Sequence, residues 1–250
     1  MCQQSVTFNF KEVHLQQNII HPTAIIAQDV EIGENNRIGP YSIIGGMGCK
    51  VLIGSNNYFG AYNLIGSPAE SSGNYPVEVM LNFEEWSATN PSKVSGVKIG
   101  DDNVMRDRVS IDSGTVQETT IANHCYIHSN CLINHDCQLS EGVVFAPGVQ
   151  VAGSCIFGKY SQVGLNAVVK QGIKVGAFTM VGMNATITRD IPDFALSFGS
   201  PSRTIGVNKI RLARLGISKN DIDATNDFLI DRNNTCPQSV MALLNDPPED

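Results

Sequence analysis

An imidazole and a carboxylate stand side by side at His135 and Asp136, within the segment IHSNCLINHDCQLS. An imidazole titrates near neutral pH, so it can accept and return a proton during a reaction. An adjacent carboxylate can orient the ring and stabilise its charged form. The pair therefore has the composition of an acid–base site. The alternative is that His135 is a polar residue on a solvated face.

His135 lies inside a long hydrophobic repeat of period six. This period fits neither an isolated helix nor an isolated strand, so successive units can bury their apolar side only by stacking. The same interval recurs earlier, within 20–44, 53–65 and 99–111. The sequence therefore predicts a solenoid over most of the chain. The unbroken series is Ile121, Ile127, Ile133, Leu139, Phe145, Val151, Phe157, Val163, Val169, Val175, Val181 and Ile187.

Small residues accompany the repeat at two fixed places. The residue after the repeated hydrophobic position is often Gly, which we expect where a tight corner needs a positive φ or a close backbone approach. The position four after it is small or apolar in the later repeats, as at Cys125, Cys131 and Cys137. Two side chains per hexad are therefore predicted to point into a narrow core.

With this repeat, the chain resembles the hexapeptide-repeat acyltransferases. In that family three hexads, or 18 residues, form one triangular coil. The resemblance implies an all-β fold, a left-handed parallel β-helix with a short C-terminal α-helical extension. We expect the β-helix domain over 14–206, with a loop ejected from it at about 67–97, and the helical extension over 207–250.

Two longer segments sharpen the resemblance to particular acyltransferases. IHSNCLINHDCQLSEGVVFAPGVQVAGS and FGSPSRTIGVNKIRLARLGIS resemble segments of the UDP-N-acetylglucosamine O-acyltransferases of lipid A biosynthesis. This implies transfer of a (3-hydroxy)acyl group from an acyl carrier protein or CoA thioester to a UDP-GlcNAc-type nucleotide sugar, in lipid A or polysaccharide biosynthesis. The stretches IDSGT and GLNAV resemble the acyl-CoA-dependent N-acyltransferases that act on the amino group of nucleotide-linked amino sugars. Both acceptors stay open.

The same resemblance implies catalytic roles for three residues. His135 is expected to be the general base, and Asp136 to orient its ring. Gly153 lies one 18-residue coil beyond His135, and its backbone N–H is the expected oxyanion donor. Counting along the coils places Asp112 beneath Asn134. The residues predicted to bind substrate are Asp112, Asn134, Asn166, Lys170, Gln171 and Arg203.

The positions of histidine and cysteine do not favour a metal site. His124, His128 and His135 occupy different places relative to the repeat, so they are not expected to converge on one ion, as the zinc-dependent hydratases built on this fold require. The cysteines are six residues apart where they are regular, which suits core filling better than zinc binding. No cofactor is expected beyond acyl-ACP or acyl-CoA as co-substrate.

Composition and the resemblance together suggest the partners. A net charge of −7 and a pI near 5.2 argue against nucleic-acid binding. No apolar run suits a signal peptide or a membrane span, so we expect a cytoplasmic protein. The resemblance implies a homotrimer with active sites between subunits. Lys209, Arg211 and Arg214 form a basic strip that either meets an acidic carrier or is a solvated helix face.

Overall fold

Short strands dominate the chain and helices follow them. The computed structural model describes residues 17–28, 30–45, 49–69, 95–231 and 235–245. The central part of the predicted loop, 70–94, lies outside the described residues. The strands within them are β1 (Ile19–Ile20), β2 (Ile25–Ile26), β3 (Val30–Ile32), β4 (Arg37–Ile38), β5 (Ile43–Ile44), β6 (Val51–Ile53), β7 (Tyr58–Phe59), β8 (Leu64–Ser67), β9 (Val97–Ile99), β10 (Val104–Met105), β11 (Ser110–Asp112), β12 (Thr119–Ile121), β13 (Tyr126–Ile127), β14 (Leu132–Ile133), β15 (Gln138–Leu139), β16 (Val144–Phe145), β17 (Gln150–Val151), β18 (Ile156–Phe157), β19 (Gln162–Val163), β20 (Val168–Val169), β21 (Lys174–Val175), β22 (Met180–Val181), β23 (Thr186–Ile187), β24 (Ala195–Phe198) and β25 (Arg203–Val207).

Every third strand joins the same sheet, so the chain winds through three faces in turn. Sheet A runs from β1 through β4 and β7 to β22, β24 and β25, sheet B from β2 through β5 to β23, and sheet C from β3 through β6 to β21. Neighbouring strands within each sheet are parallel, except that β25 pairs antiparallel with β24. The predicted left-handed parallel β-helix with a short C-terminal helical extension is confirmed.

The period-six hydrophobic residues form the core of this β-helix. All twelve from Ile121 to Ile187 are buried, each at 4% exposure or less. The register places Ile133 against Val151, so one coil is 18 residues there. Ile20, in the first described coil, is an exception and is 43% exposed. Burial of aliphatic and phenyl groups is the main stabilising contribution, since each removes apolar surface from water.

The second inward position of each hexad changes character along the β-helix. In the early coils it holds buried asparagines, and the side-chain oxygens of Asn36 and Asn57 each accept the backbone N–H of the next asparagine at 2.9 Å. The series ends where Asn103 accepts the N–H of Cys125 at 2.7 Å. These bonds satisfy amides that would otherwise be buried without partners.

From Cys125 onward the same position is filled by thiols, small residues or aliphatic residues such as Val143 and Ile173, in agreement with the prediction of small or apolar side chains. The thiols of Cys125 and Cys131 each donate to a carbonyl one coil further on, at 3.2 and 3.3 Å. Burial raises the pKa of Cys125 to about 12 and that of Cys131 to about 11. Both therefore stay protonated at neutral pH and act as small hydrophobic groups with a weak donor.

Most glycines after the repeated hydrophobic position allow close approach between coils, whereas Gly45 and Gly66 have a positive φ. A Cβ on Gly39 would lie 2.6 Å from the backbone of Gly60 in the next coil, and neither glycine has a positive φ. The left-handed conformation falls two residues later, at corner residues such as Asn130 (φ 62°) and Asp136 (φ 61°). Asn and Asp tolerate this region better than most residues.

Three helices follow the last strand. They are α1 (Lys209–Arg214), α2 (Lys219–Asp231) and α3 (Gln238–Asn245). The Ser218 hydroxyl accepts the N–H of Asp221 at 3.1 Å and caps α2. Their apolar side chains share a cluster with Phe178, Phe194 and Val207 from the end of the β-helix. The division into domains at 206 and 207 stays a prediction. Among the described residues, no helix is long and apolar enough to cross a membrane.

Candidate active site

His135 and Asp136 lie at the corner between sheets B and C, between β14 and β15. His135 Nδ1 is 2.7 Å from Asp136 Oδ2. The imidazole is 19% exposed, whereas the carboxylate beside it is only 4% exposed. The ring therefore reaches the surface while its orienting group is buried beneath it. This geometry matches the roles predicted for the pair, which stay predictions.

The Asp136 carboxylate is held by a short loop that the sequence shows only as a break in the repeat. Oδ1 accepts the backbone N–H groups of Thr115, Val116 and Gln117 at 2.8 to 2.9 Å. Oδ2 accepts the Thr115 hydroxyl at 2.6 Å in addition to the His135 ring. Three consecutive N–H groups directed at one oxygen form a backbone nest for an anion.

These donors keep Asp136 ionised. Burial alone would raise the pKa of this carboxyl, but the hydrogen bonds from Thr115, Gln117, His135 and Val116 outweigh it and hold the pKa well below its ordinary value. A carboxylate with a fixed negative charge can accept the Nδ1 proton of His135 at all working pH values. Nε2 of the imidazole is then left to act on a substrate.

The loop is itself fixed by its neighbours in the fold. Ser113 donates its N–H and its hydroxyl to the carbonyl of Ser67, at 2.7 and 2.8 Å. Gly114 exchanges backbone hydrogen bonds with the segment at Ser95 and Gly96. A Cβ on Gly114 would collide with the carbonyl oxygen of Gln117. The two ends of the predicted loop at about 67–97 thus support the loop that holds Asp136.

Gly153 lies directly against the His135 ring. A Cβ built on Gly153 would be 2.5 Å from both Cε1 and Nε2 of the imidazole, so the ring fits only because this residue has no side chain. Within the described residues, the Gly153 N–H donates to no other group of the chain. Equivalent corner amides such as that of Ser129 are also free, so only the contact with His135 distinguishes Gly153.

The other residues predicted at this corner lie at the positions expected from counting along the 18-residue coils. Ile111 pairs with Ile133, which puts Asp112 beneath Asn134. Asp112 is only 4% exposed, so it presents little surface to a substrate. Lys170 and Gln171 are exposed and lie two coils from His135, about 10 Å along the axis. They lie on the open surface beyond Gly153.

Asn166 and Arg203 do not join this group. Asn166 is an exposed residue at the corner between sheets A and B, and Arg203 is an exposed residue of β25, in sheet A. Neither shares a corner with His135 of the same chain. Their predicted substrate-binding role has no support from the arrangement within one subunit.

The histidines occupy three different corners of the prism. His124 lies between sheets C and A, His128 between A and B, and His135 between B and C. Burial, and then the charge of Arg106, lower the pKa of His128. Among the described residues no three His, Cys, Asp or Glu side chains group as metal ligands do. His124, His128 and His135 therefore do not converge on one position.

The basic strip of α1 is partly engaged in the fold. The Arg211 guanidinium lies 5.4 Å from the centre of the Tyr160 ring, and Lys209 Nζ is 3.7 Å from an oxygen of Asp223. Arg214 is exposed. Lys209 and Arg214 are thus both exposed to an acidic partner, whereas Arg211 is half-buried.

Known proteins resemble this chain over most of its length. Residues 15–46 match the family described as bacterial transferase hexapeptide (six repeats). An acyl-(acyl-carrier-protein)–UDP-N-acetylglucosamine O-acyltransferase from Thiobacillus denitrificans is 35% identical over 208 residues, covering 82% of this chain and 80% of that protein. One from Paraburkholderia phymatum is 34% identical, covering 82% of this chain and 79% of that protein.

Solved structures agree with the sequence relatives. LpxA from Acinetobacter baumannii superimposes with a TM-score of 0.63 at 28% identity, covering 92% of this chain and 89% of that one. The UDP-N-acetylglucosamine acyltransferase from Campylobacter jejuni gives a TM-score of 0.69, covering 92% of each chain, and at 22% identity it supports the fold alone. The chain thus belongs to the UDP-N-acetylglucosamine O-acyltransferase family of hexapeptide-repeat acyltransferases.

Proposed function

We propose that this acyltransferase moves an acyl group from the thioester of an acyl carrier protein to a hydroxyl of UDP-GlcNAc. The observation that carries the proposal is the surface imidazole of His135, oriented by a buried carboxylate and packed on Gly153. The relatives named for this reaction support the choice of substrates. Neither a metal nor a prosthetic group is required, since the thioester supplies the activated acyl group.

The arrangement suggests a definite course for the reaction. Nε2 of His135 takes the proton of the sugar hydroxyl as its oxygen attacks the thioester carbonyl. Asp136 stabilises the imidazolium through Nδ1. The Gly153 N–H donates to the oxyanion of the tetrahedral intermediate. The C–S bond then breaks, and His135 returns the proton to the departing thiolate.

The alternative is acyl transfer to the amino group of a nucleotide-linked amino sugar. Asp112 would suit such an acceptor, because its carboxylate could hold an ammonium group beside His135. Because Asp112 is buried, it is poorly placed to receive such a group. The structure therefore favours a hydroxyl acceptor, for which a strong general base matters more than for an amine.

We further propose a homotrimer with the active site shared between subunits. Asn166 and Arg203 lie away from His135 of their own chain, and a second subunit would let such residues reach a substrate there. The outward row of sheet C carries three charged side chains, Glu31, Lys98 and Lys174, beside the apolar Leu52 and Ile156. The outward side chains of sheet A form a mostly apolar row. Arg37 and Gln162 interrupt it, and its apolar members are Tyr58, Val104, Tyr126, Val144, Met180 and Leu196.

A cytoplasmic location follows from this proposal rather than from the fold. Acyl carrier thioesters are intracellular donors. The buried free thiols, Cys49, Cys125, Cys131, Cys137 and Cys155, also suit a reducing compartment.

A panel of donors and acceptors tests the substrates. We would assay acyl-ACP and acyl-CoA of several chain lengths against UDP-GlcNAc and against nucleotide-linked amino sugars. The expected result is ester formation on UDP-GlcNAc with acyl-ACP as the preferred donor. Turnover restricted to the amino sugars, with an amide as product, would replace the proposed acceptor with the alternative.

A further inference from the structure

The Thr115 side chain contacts the carboxylate that orients His135. Its hydroxyl donates to Asp136 Oδ2 at 2.6 Å, and the same oxygen lies 2.7 Å from His135 Nδ1. Oδ1 is occupied separately by three backbone N–H groups. The hydroxyl and the imidazole therefore share one oxygen of a buried carboxylate.

We propose that Thr115 is a positioning residue that sets how tightly His135 holds its proton. Given the role of His135 in the proposed function, this contact would set how readily the ring acts as a base. The inference thus rests on that function for its catalytic meaning.

The direction of the effect follows from the shared oxygen. A short hydrogen bond to an ionised oxygen is strong because the acceptor is charged. It neutralises part of the charge on Oδ2, so less of that charge acts on the imidazolium. Without the hydroxyl, Oδ2 attracts the Nδ1 proton more strongly and the charged form of the ring gains stability. Asp136 thus favours protonation of the ring, and the Thr115 hydroxyl opposes it.

The charged side chains that the chain and the register place nearest to this corner are Asp112, Glu118, Asp136 and Lys170. The register places Asp112 one coil below the corner of His135 and Lys170 two coils above it, and Asp136 is adjacent. The loop residues Thr115, Val116 and Gln117 carry no charge. A change confined to the Thr115 hydroxyl leaves all of these charges in place, so its effect on His135 can be measured separately.

Thr115→Val is the direct test, because it removes the hydroxyl, keeps the shape of the side chain and keeps the backbone N–H. Thr115 is exposed, so the substitution leaves the core unchanged. The midpoint of the His135 titration is read by NMR from histidine labelled at Cε1. Among the five histidines, the signal of His135 is the one that His135→Gln removes. Thr115→Ser, which restores a hydroxyl, and Thr188→Val, which removes one three coils away, are the controls.

We expect the midpoint to rise by roughly half a pH unit in Thr115→Val, to return in Thr115→Ser and to stay at the wild-type value in Thr188→Val. A midpoint in Thr115→Val equal to that of the wild type would overturn the inference and leave Thr115 a structural part of the loop. A fall would also contradict it. The titration needs no turnover, so a chain inactive toward UDP-GlcNAc would refute the proposed function without changing this result.

Discussion

At the scale of single residues, the site depends on the absence of a side chain at Gly153. Any side chain there would meet the His135 ring at 2.5 Å, and the ring would have to move. We expect Gly153→Ala to lower kcat/KM by about a hundred-fold, since a displacement of about 1 Å can cost that much. Ser129→Ala, at the equivalent place in another corner, should leave the rate unchanged. Wild-type rates in Gly153→Ala would show that the close packing is irrelevant to catalysis.

Asp136 also predicts a dependence of stability on pH. Its pKa in the folded chain lies below the ordinary value of 3.8, so the stabilisation from its ionised form is present above pH 3.8 and is lost as the pH falls further. Asp136→Asn removes this component and should cost about 2 kcal/mol at pH 7. Urea unfolding at pH 7 and at pH 3 should show a smaller difference from the wild type at pH 3. An equal difference at both pH values would contradict the assignment.

From the sequence we could predict that His135, Asp136 and Gly153 lie together, but not which groups hold Asp136. His135, Asp136 and Gly153 fall together because the repeat fixes an 18-residue coil, and counting alone brings them to one corner. The donors from Thr115, Val116 and Gln117 could not be predicted in this way. They lie where the hydrophobic repeat is displaced, and a periodic pattern carries no information about the conformation of an insertion. The available signal for this loop was the interval of ten residues between Ile111 and Ile121, where the repeat would require six.

At the scale of elements, the loop at 113–117 is the part of the β-helix that serves the site. Gly114→Ala forces the backbone at 114 and the carbonyl of Gln117 apart and so should disturb the donors to Asp136. We expect kcat/KM to fall at least ten-fold while the circular dichroism of the β-helix is retained, because the coils above and below do not depend on the loop. Glu118→Ala, which trims a side chain beside the loop without changing its backbone, is the matched control. Equal loss in both variants would argue against a specific role for the loop.

The coils themselves could be predicted because every coil repeats the same packing of inward side chains. Each hexad needs one large inward side chain and a second one that is small or aliphatic, and the chain supplies both without interruption from β12 to β23. Both predicted roles of the glycines occur, close approach between coils at Gly39 and Gly60 and a positive φ at Gly45 and Gly66. The predicted roles of Asn166 and Arg203 rested on local motifs, which do not tell which corner a residue will occupy.

At the scale of the whole molecule, the outward apolar row of sheet A bears on assembly. A homotrimer predicts an assembly of about 81 kDa by light scattering, from three chains of 27.0 kDa. Val144→Lys places a charge in the middle of that row and should yield smaller species with lower activity, because an unpaired buried charge is costly. Gln138→Lys, on the outward face of sheet C, should leave the mass unchanged. A wild-type mass of one chain would exclude a site shared between subunits.

The central claim is that His135 is the general base of an acyl transfer to UDP-GlcNAc, and His135→Gln tests it most directly. Glutamine keeps a polar side chain of similar size but cannot exchange a proton near neutral pH. With acyl-ACP and UDP-GlcNAc at saturation, we predict that kcat falls by about two to four orders of magnitude, as expected for a lost general base, while KM changes little. A His135→Gln enzyme that turns over at the wild-type rate would contradict the mechanism.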